Sequence, residues 1–249
     1  MLSNDYIVGR GSCAEPPKVA KDSLNQLCGI FGHDHVSPTS ESRSSPVLVA
    51  TDVENTSNVN GGFTVEPNCE TGIAILDPKE MKRKLPEELF KTYNFAMGTY
   101  VDKASDKFHF GKTVAITSSE LAQHVQNIIP ADRNVMLVGH GVLNDLRALQ
   151  ALGFEFPTRF SAALDTSQVS QEVFEDWAGG LRDLLRTLEC PYNWLHCAGN
   201  NANFTLKVLL LLVAKRLERQ SGNRNTVDML RRIGRQELPY WVDAQGKHQ

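Results

Sequence analysis

Three short apolar runs constrain this chain more than any other feature: Val47-Leu-Val-Ala-Thr-Asp-Val53, Thr71-Gly-Ile-Ala-Ile-Leu76 and Asn134-Val-Met-Leu-Val138. All are rich in β-branched residues and too short for a helix with a buried face, so each reads as a strand. Asn60-Gly61-Gly62 marks a turn between the first two, and Asp77-Pro78 closes the second. Lys107–Phe110 alternates and is expected to add a strand stopped by Gly111. From Ser118, taken as N-cap, to about Ile129 the spacing becomes helical. The Asn134–Val138 strand runs directly into Gly139-His140-Gly141 and a helix over Leu143–Leu152. A short strand at Ala162–Asp165, an amphipathic helix at Leu181–Leu188 and a long helix at Asn203–Arg219 complete the pattern. Strands come first, then strand–helix alternation, which predicts an α/β fold with a mixed central sheet flanked by helices.

The first 45 residues lack periodicity and end in SPTSESRSSP, so 1–45 is expected to be an irregular leader and linker. The ordered domain should span 46–219, with 220–249 as a basic extension. Hydrophobic residues make up 41% of 249, enough for a globular core. No apolar run approaches the roughly 18–20 residues of a membrane span; Val208–Ala214 ends in Lys215-Arg216. The N-terminus lacks the charged-then-apolar order of a secretory signal. A soluble protein of the cytoplasm or nucleus, not secreted and without a membrane partner, is expected. The 5 cysteines show no CxxC spacing and read as reduced thiols. Cys28 with His33 and His35 has half a zinc pattern, but no second ligand pair follows.

Net charge is −3, which excludes a uniformly basic nucleic-acid-coating protein. The segment Lys215–Arg235 nevertheless holds seven basic residues against Glu218 and Asp228, a local +5 on a body summing to −8. Such a tail is either a phosphate-contacting segment, with Lys215, Arg216 and Arg219 as its first candidates, or a solvated helix face.

Three motifs can carry chemistry. Asp52 and Glu54 close the first strand, and residues two apart on a strand share a face, roughly 6.5–7 Å along it. Two carboxylates so placed repel unless a cation offsets them, and hard oxygen ligands suit Mg²⁺ or Mn²⁺. A bare acid-x-acid triplet also arises by chance. Asp145 falls in the first turns of the helix after Gly139-His140-Gly141, where a helix dipole favours an anion; simple charge complementarity accounts for it equally well. In Leu195-His-Cys-Ala-Gly-Asn-Asn-Ala-Asn-Phe-Thr-Leu206, a histidine precedes a helix, and histidine is the side chain matched to proton transfer near neutral pH. A lone histidine there is more often structural. Tyr192, Trp194 and Phe204 lie close by and are candidates for base stacking, with core packing the commoner role for Trp194 and Phe204.

Taken in order, these motifs resemble the DEDDh 3′–5′ exonucleases of the ribonuclease H-like superfamily over roughly Pro46–Arg219. ETGIAILDP, FHFGKT, VGHGVLNDLRAL and PYNWLHCAGNNANFTL look most like fungal exonuclease-like proteins linked to the mRNA-export machinery. The resemblance implies a ribonuclease H-like fold and metal-dependent hydrolysis from the 3′ end of single-stranded nucleic acid, RNA favoured. It implies that Asp52 bridges two metal ions, Glu54 binds the first, Asp145 supports the second and His196 is the general base. The two ions of such sites lie about 3.5–4 Å apart. The family's last acid falls five residues after the histidine, and here that position is Asn201, with Asn200 as its neighbour. An amide oxygen can ligate a hard cation but brings no charge, so weakened binding of one ion is expected. Three readings follow: an active metal-dependent exonuclease, a pseudo-nuclease that binds nucleic acid or a protein partner, and an unrelated α/β interaction domain.

Overall fold

The structure, a computed structural model, describes residues 15–32, 45–56, 68–175, 179–220 and 222–239. The Asn60–Gly62 turn and the histidines of the Cys28 pattern lie outside the described residues. Among those residues six strands form one sheet: β1 (Val47–Glu54), β2 (Glu70–Leu76), β3 (Phe90–Ala96), β4 (Thr113–Ala115), β5 (Val135–Gly139) and β6 (Phe160–Asp165). Their order is β4-β3-β2-β1-β5-β6. β1, β2 and β3 are successively antiparallel, while β4 beside β3, β5 beside β1 and β6 beside β5 run parallel. The sheet is thus mixed, as expected.

Helices cover both faces, which explains the uninterrupted apolar strands. Leu48, Ala50, Ala74 and Leu76 point to one side and join a core built on the long helix Ala198–Arg219. Val47, Val49, Ile73 and Ile75 point to the other side, against Leu121 and Val125 of Ser118–Ile128 and Leu146 and Leu149 of Val142–Ala151. In chain order the helices are α1 (Ser23–Gly32), α2 (Pro86–Leu89), α3 (Tyr100–Ser105), α4 (Ser118–Ile128), α5 (Val142–Ala151), α6 (Thr166–Phe174), α7 (Leu181–Thr187), α8 (Ala198–Arg219) and α9 (Arg224–Gly234).

Several local expectations are corrected. Lys107–Phe110 is turn and bend, and the third strand is β3. Phe108 and Phe110 alternate because both pack inward, with Phe110 edge-on to Phe204 at 5.9 Å. The cap of α4 is Thr117, whose N–H and hydroxyl both donate to Glu120 at 3.1 and 2.7 Å. α8 begins five residues earlier than expected, at Ala198, so Asn201 sits in its first turns.

The segment expected to be irregular contains α1. Its Leu24, Leu27 and Phe31 recur at helical spacing and are buried in the α8 core. Just ahead of it, Ala20 N–H donates to Ala163 O and Ala163 N–H to Lys18 O, at 2.9 and 3.0 Å, so this segment also pairs the outer edge of β6. At the other end α9 buries Val227, Leu230 and Ile233 on α8. The buried Lys207 of α8 donates to Gln236 O at 3.0 Å and lies 5.7 Å from the Phe110 ring centre, tying down the chain after α9.

Leu27→Asp is expected to lower stability by about 3 kcal/mol or more, because it places a charge in a core site and removes a buried leucine. Urea unfolding of the full chain measures it; a segment that is only a leader would give no change.

Candidate active site

The site forms at the carboxyl end of β1. β5 pairs with β1 only over Val47–Ala50. Beyond that point α5 takes over: Asp145, which is buried, accepts a hydrogen bond from Val53 N–H at 3.0 Å. The second candidate acid is therefore attached to the main chain between the two acids of the first motif. α5 itself is held by Asp165 at the end of β6. That carboxylate accepts from Gly141 N–H and Val142 N–H at 3.0 and 3.1 Å and caps α6 through Ser167 N–H at 2.9 Å. Thr166 adds a second tie by donating to Gly139 O, so its hydroxyl accepts from His140 Nδ1 at 3.0 Å.

From the opposite side comes the start of α8, which lies unusually close to β2. A Cβ on Gly72, the partner of Asp52 across the sheet, would stand 1.9 Å from Ala198 O. A Cβ on Gly199 would stand 2.6 Å from the Phe108 ring. Two polar residues of the sheet take up the free N–H groups of the helix: Glu70 accepts from Ala198 N–H at 3.1 Å, and Asn94 from Gly199 N–H at 2.8 Å. Asn200 binds the flanking loops, donating to Lys107 O and Trp194 O and accepting from His109 N–H. Asn203 donates to Thr92.

Asn201 is the one of these amides that reaches Asp52 and Glu54. Its Nδ2 donates to Glu54 Oε1 at 2.8 Å and to Asp52 Oδ2 at 3.4 Å. Its Oδ1 is buried and, among the described residues, accepts no hydrogen bond. His196 follows a strained turn with φ of +69° and is 77% exposed, with Nδ1 3.5 Å from the same Glu54 oxygen. Asp52, Glu54, Asp145, His196 and Asn201 are thus brought together.

Lys215, Arg216, Arg219 and Tyr192 are not. The three basic residues lie about 21–27 Å further along α8. There Arg219 donates to Val173 O at 2.6 Å, Lys215 lies 5.2 Å from the Phe174 ring centre, and Arg216 acts electrostatically on Cys28 and Glu172. Tyr192 accepts from Arg186 Nε at 2.9 Å. Arg231 and Arg235 of the same basic segment pair with Glu218 and Glu189. Glu70, Asn94, Asn200 and Asp165 escaped sequence reading; the nearest signals are the acid opening ETG and the acid closing the 162–165 strand.

Burial dominates the electrostatics. Loss of hydration pushes Asp52 well above the carboxylate range, and the charges of Asp145, Glu54 and Glu70 push the same way while the Asn201 amide opposes them. Asp145 is pushed up to about 8, again chiefly by loss of hydration, with the Val53 N–H opposing and Asp165 and Glu54 adding. Glu70 is also raised by burial, against hydrogen bonds from Cys197, Asn94 and Ala198. The donor chemistry fits a hard divalent cation: three carboxylates at one strand end and an amide oxygen without a partner in the described residues. Among the described residues, though, no three His, Cys, Asp or Glu side chains already stand as a metal-holding group.

The family model that matches residues 47–212 is DEDDh_C, DNA polymerase III subunit epsilon-like, C-terminal domain. The chain belongs to this DEDDh exonuclease-like family. With it come the ribonuclease H-like fold and a family habit of using divalent metals. It is also similar to Good for full DBP5 activity protein 2 of Saccharomyces cerevisiae, 22% identical over 201 residues, 66% of this chain and 36% of that protein. Uncharacterized protein YDR514C of the same yeast is 23% identical over 196 residues, 64% of this chain and 40% of its own. Uncharacterized nucleolar protein C2C4.08 of Schizosaccharomyces pombe is 29% identical over 120 residues, 45% of this chain and 49% of its own. The chain thus spans less than half the length of each of these curated relatives. Among the described residues no helix is long and apolar enough to cross a membrane.

A pH dependence follows. Asp52 and Asp145 bind protons more tightly folded than unfolded, so their contribution is full below about pH 4, the ordinary aspartate pKa. It is lost as pH rises toward the folded value, about 8 for Asp145. In a chelator, the melting temperature is expected to fall across that window. Asp145→Asn should flatten the profile and melt higher than wild type at pH 8, by a few degrees. Calorimetry at graded pH measures both.

Proposed function

We propose that the chain is a metal-dependent 3′–5′ exonuclease-like domain acting on single-stranded nucleic acid, RNA favoured. The observation that carries this reading is the meeting of Asp52, Glu54, Asp145 and His196 at one end of β1. Asp52, Glu54 and Asp145 would hold Mg²⁺ or Mn²⁺, and Asn201 would offer at most a neutral oxygen. Bound divalent ions in such sites stabilise the attacking and leaving oxygens of phosphodiester hydrolysis. His196 serves as general base: its Nδ1 lies 3.5 Å from Glu54 Oε1, and Nε2 would take the proton of an attacking water. Its exposure suits a group that meets water and a substrate end. The nucleolar location in the name of the Schizosaccharomyces pombe relative supports RNA and a nuclear setting.

A second reading has its own support. With an amide in place of the last acid, the protein carboxylates supply −3 against the +4 of two divalent ions, so a domain that binds nucleic acid or a protein partner without cutting is the alternative. The deciding assay incubates labelled single-stranded RNA and DNA with Mn²⁺ and wild type, Asp52→Ala, His196→Ala or Asn201→Asp. Cleavage by wild type is expected, slowed about 100-fold or more by Asp52→Ala or His196→Ala and quickened by Asn201→Asp. An inert wild type beside a cleaving Asn201→Asp would establish the second reading. No cleavage by either would sink the nuclease reading.

A further inference from the structure

We infer that the Asn201 side chain is a latch that closes the acid cluster when no cation is there and must turn over before one can enter. The inference rests on the cluster being a cation site and concerns how that site is kept.

The Asn201 amide nitrogen donates to Glu54 Oε1 at 2.8 Å and, more weakly, to Asp52 Oδ2 at 3.4 Å. The –NH2 group therefore stands between the two carboxylates that would share a cation, with the positive end of the amide dipole toward them. An amide nitrogen cannot ligate, because its lone pair is delocalised into the carbonyl. The oxygen can, but it is buried and, among the described residues, accepts nothing. A half-turn about the Cβ–Cγ bond exchanges the two. Without a cation that turn would break two hydrogen bonds to acids and set an oxygen against oxygens. With a cation between the acids, it would replace a donor with a ligand.

The backbone that carries Asn201 and the side chain of Asp145 are both held in place. The helix carrying Asn201 is fixed to β2 and β3 by Glu70, Asn94 and the close approach at Gly72. Asp145 is bound to β1 through Val53 N–H. The side-chain amide is the element with two arrangements, and a cation biases them only through its different contacts with each. A carboxylate at 201 has no hydrogen to donate, so it could not close the cluster and would add a further acid to it.

The test compares full-length wild type, Asn201→Asp and Asn201→Ala, first in chelator and then titrated with MgCl₂ and MnCl₂. Melting temperature and the ¹⁵N-resolved side-chain amide signals are followed, the Asn201 pair being assigned by its loss in both variants. In chelator the pair should exchange slowly with water, and Asn201→Asp should melt several degrees below wild type. Cation should restore Asn201→Asp at a midpoint about tenfold or more below that of wild type, whose apparent affinity is reduced by the latched fraction. In wild type the amide pair should move together with cation binding. Asn201→Ala separates the lost bonds from the added charge, and should melt below wild type without needing cation for recovery. An Asn201→Asp protein as stable as wild type in chelator overturns the latch, as does a wild type that binds cation while its amide pair stays still. Failure of Asn201→Asp to respond to either cation would instead overturn the cation site itself, and the latch with it.

Discussion

The docking of the first turn of α8 on the middle of the sheet is the constraint on which the site depends. It is made by an absence and two polar groups: no side chain at Gly72, and acceptors at Glu70 and Asn94 for the N–H groups that a helix start leaves open. Glu70 contributes twice, because a carboxylate at a helix N-terminus also meets the positive end of the peptide dipoles. With the helix start fixed, the distance from Asn201 to the acids of β1 follows. Strand, helix start and α5 then act as three rigid supports for one small cluster, the arrangement that holds a site to sub-ångström tolerance.

Gathering acids in this way is costly, and the structure disperses the cost through several local devices. Asp165 is spent on four donors around the α5 and α6 turns. Glu70 is spent on the start of α8. Asp145 receives one main-chain N–H, and Asp52 and Glu54 share the amide of Asn201. Neutral dipoles thereby carry the load that charge would carry in a site filled by ions. What they leave uncovered appears as raised proton affinity at Asp52 and Asp145.

Legibility in the sequence followed burial on two faces. β1, β2 and β5 are covered by helices on both sides, so they stand out as uninterrupted apolar runs, and the end of β1 carries Asp52 and Glu54. β3 was hidden because Lys91, Thr92 and Asn94 interrupt the apolar character of FKTYNFA, the last a buried polar residue in the sheet. α1 was hidden because its three core residues are set among glycine, cysteine and polar positions. Of the site, Asp52, Glu54, Asp145 and His196 could be found from spacing and resemblance. Glu70 and Asn94 could not, since their partners lie 128 and 105 residues away and only the packing of α8 on the sheet brings them together. The basic segment misled in the opposite sense. Its charges were plain, but their spacing conceals that Arg219, Arg231 and Arg235 are occupied by acceptors of the same chain.

The three asparagines at the start of α8 isolate what is particular to position 201. Asn200 and Asn203 donate through Nδ2 to neutral oxygens, two backbone carbonyls and a threonine hydroxyl, and Asn200 accepts a main-chain N–H as well. An aspartate at 200 would set a charge against those carbonyls, so packing alone accounts for that amide. At 201 the partners are both carboxylates, and among the described residues nothing engages the side chain through Oδ1. The amide there is dictated by the charge of its neighbours and not by the architecture around it. An acid at 201 would face the same scaffold with the same reach and would differ only in requiring positive charge between itself and β1. The electrostatics of this cluster therefore turn on one amide nitrogen, set against two carboxylates within a frame that holds acids together.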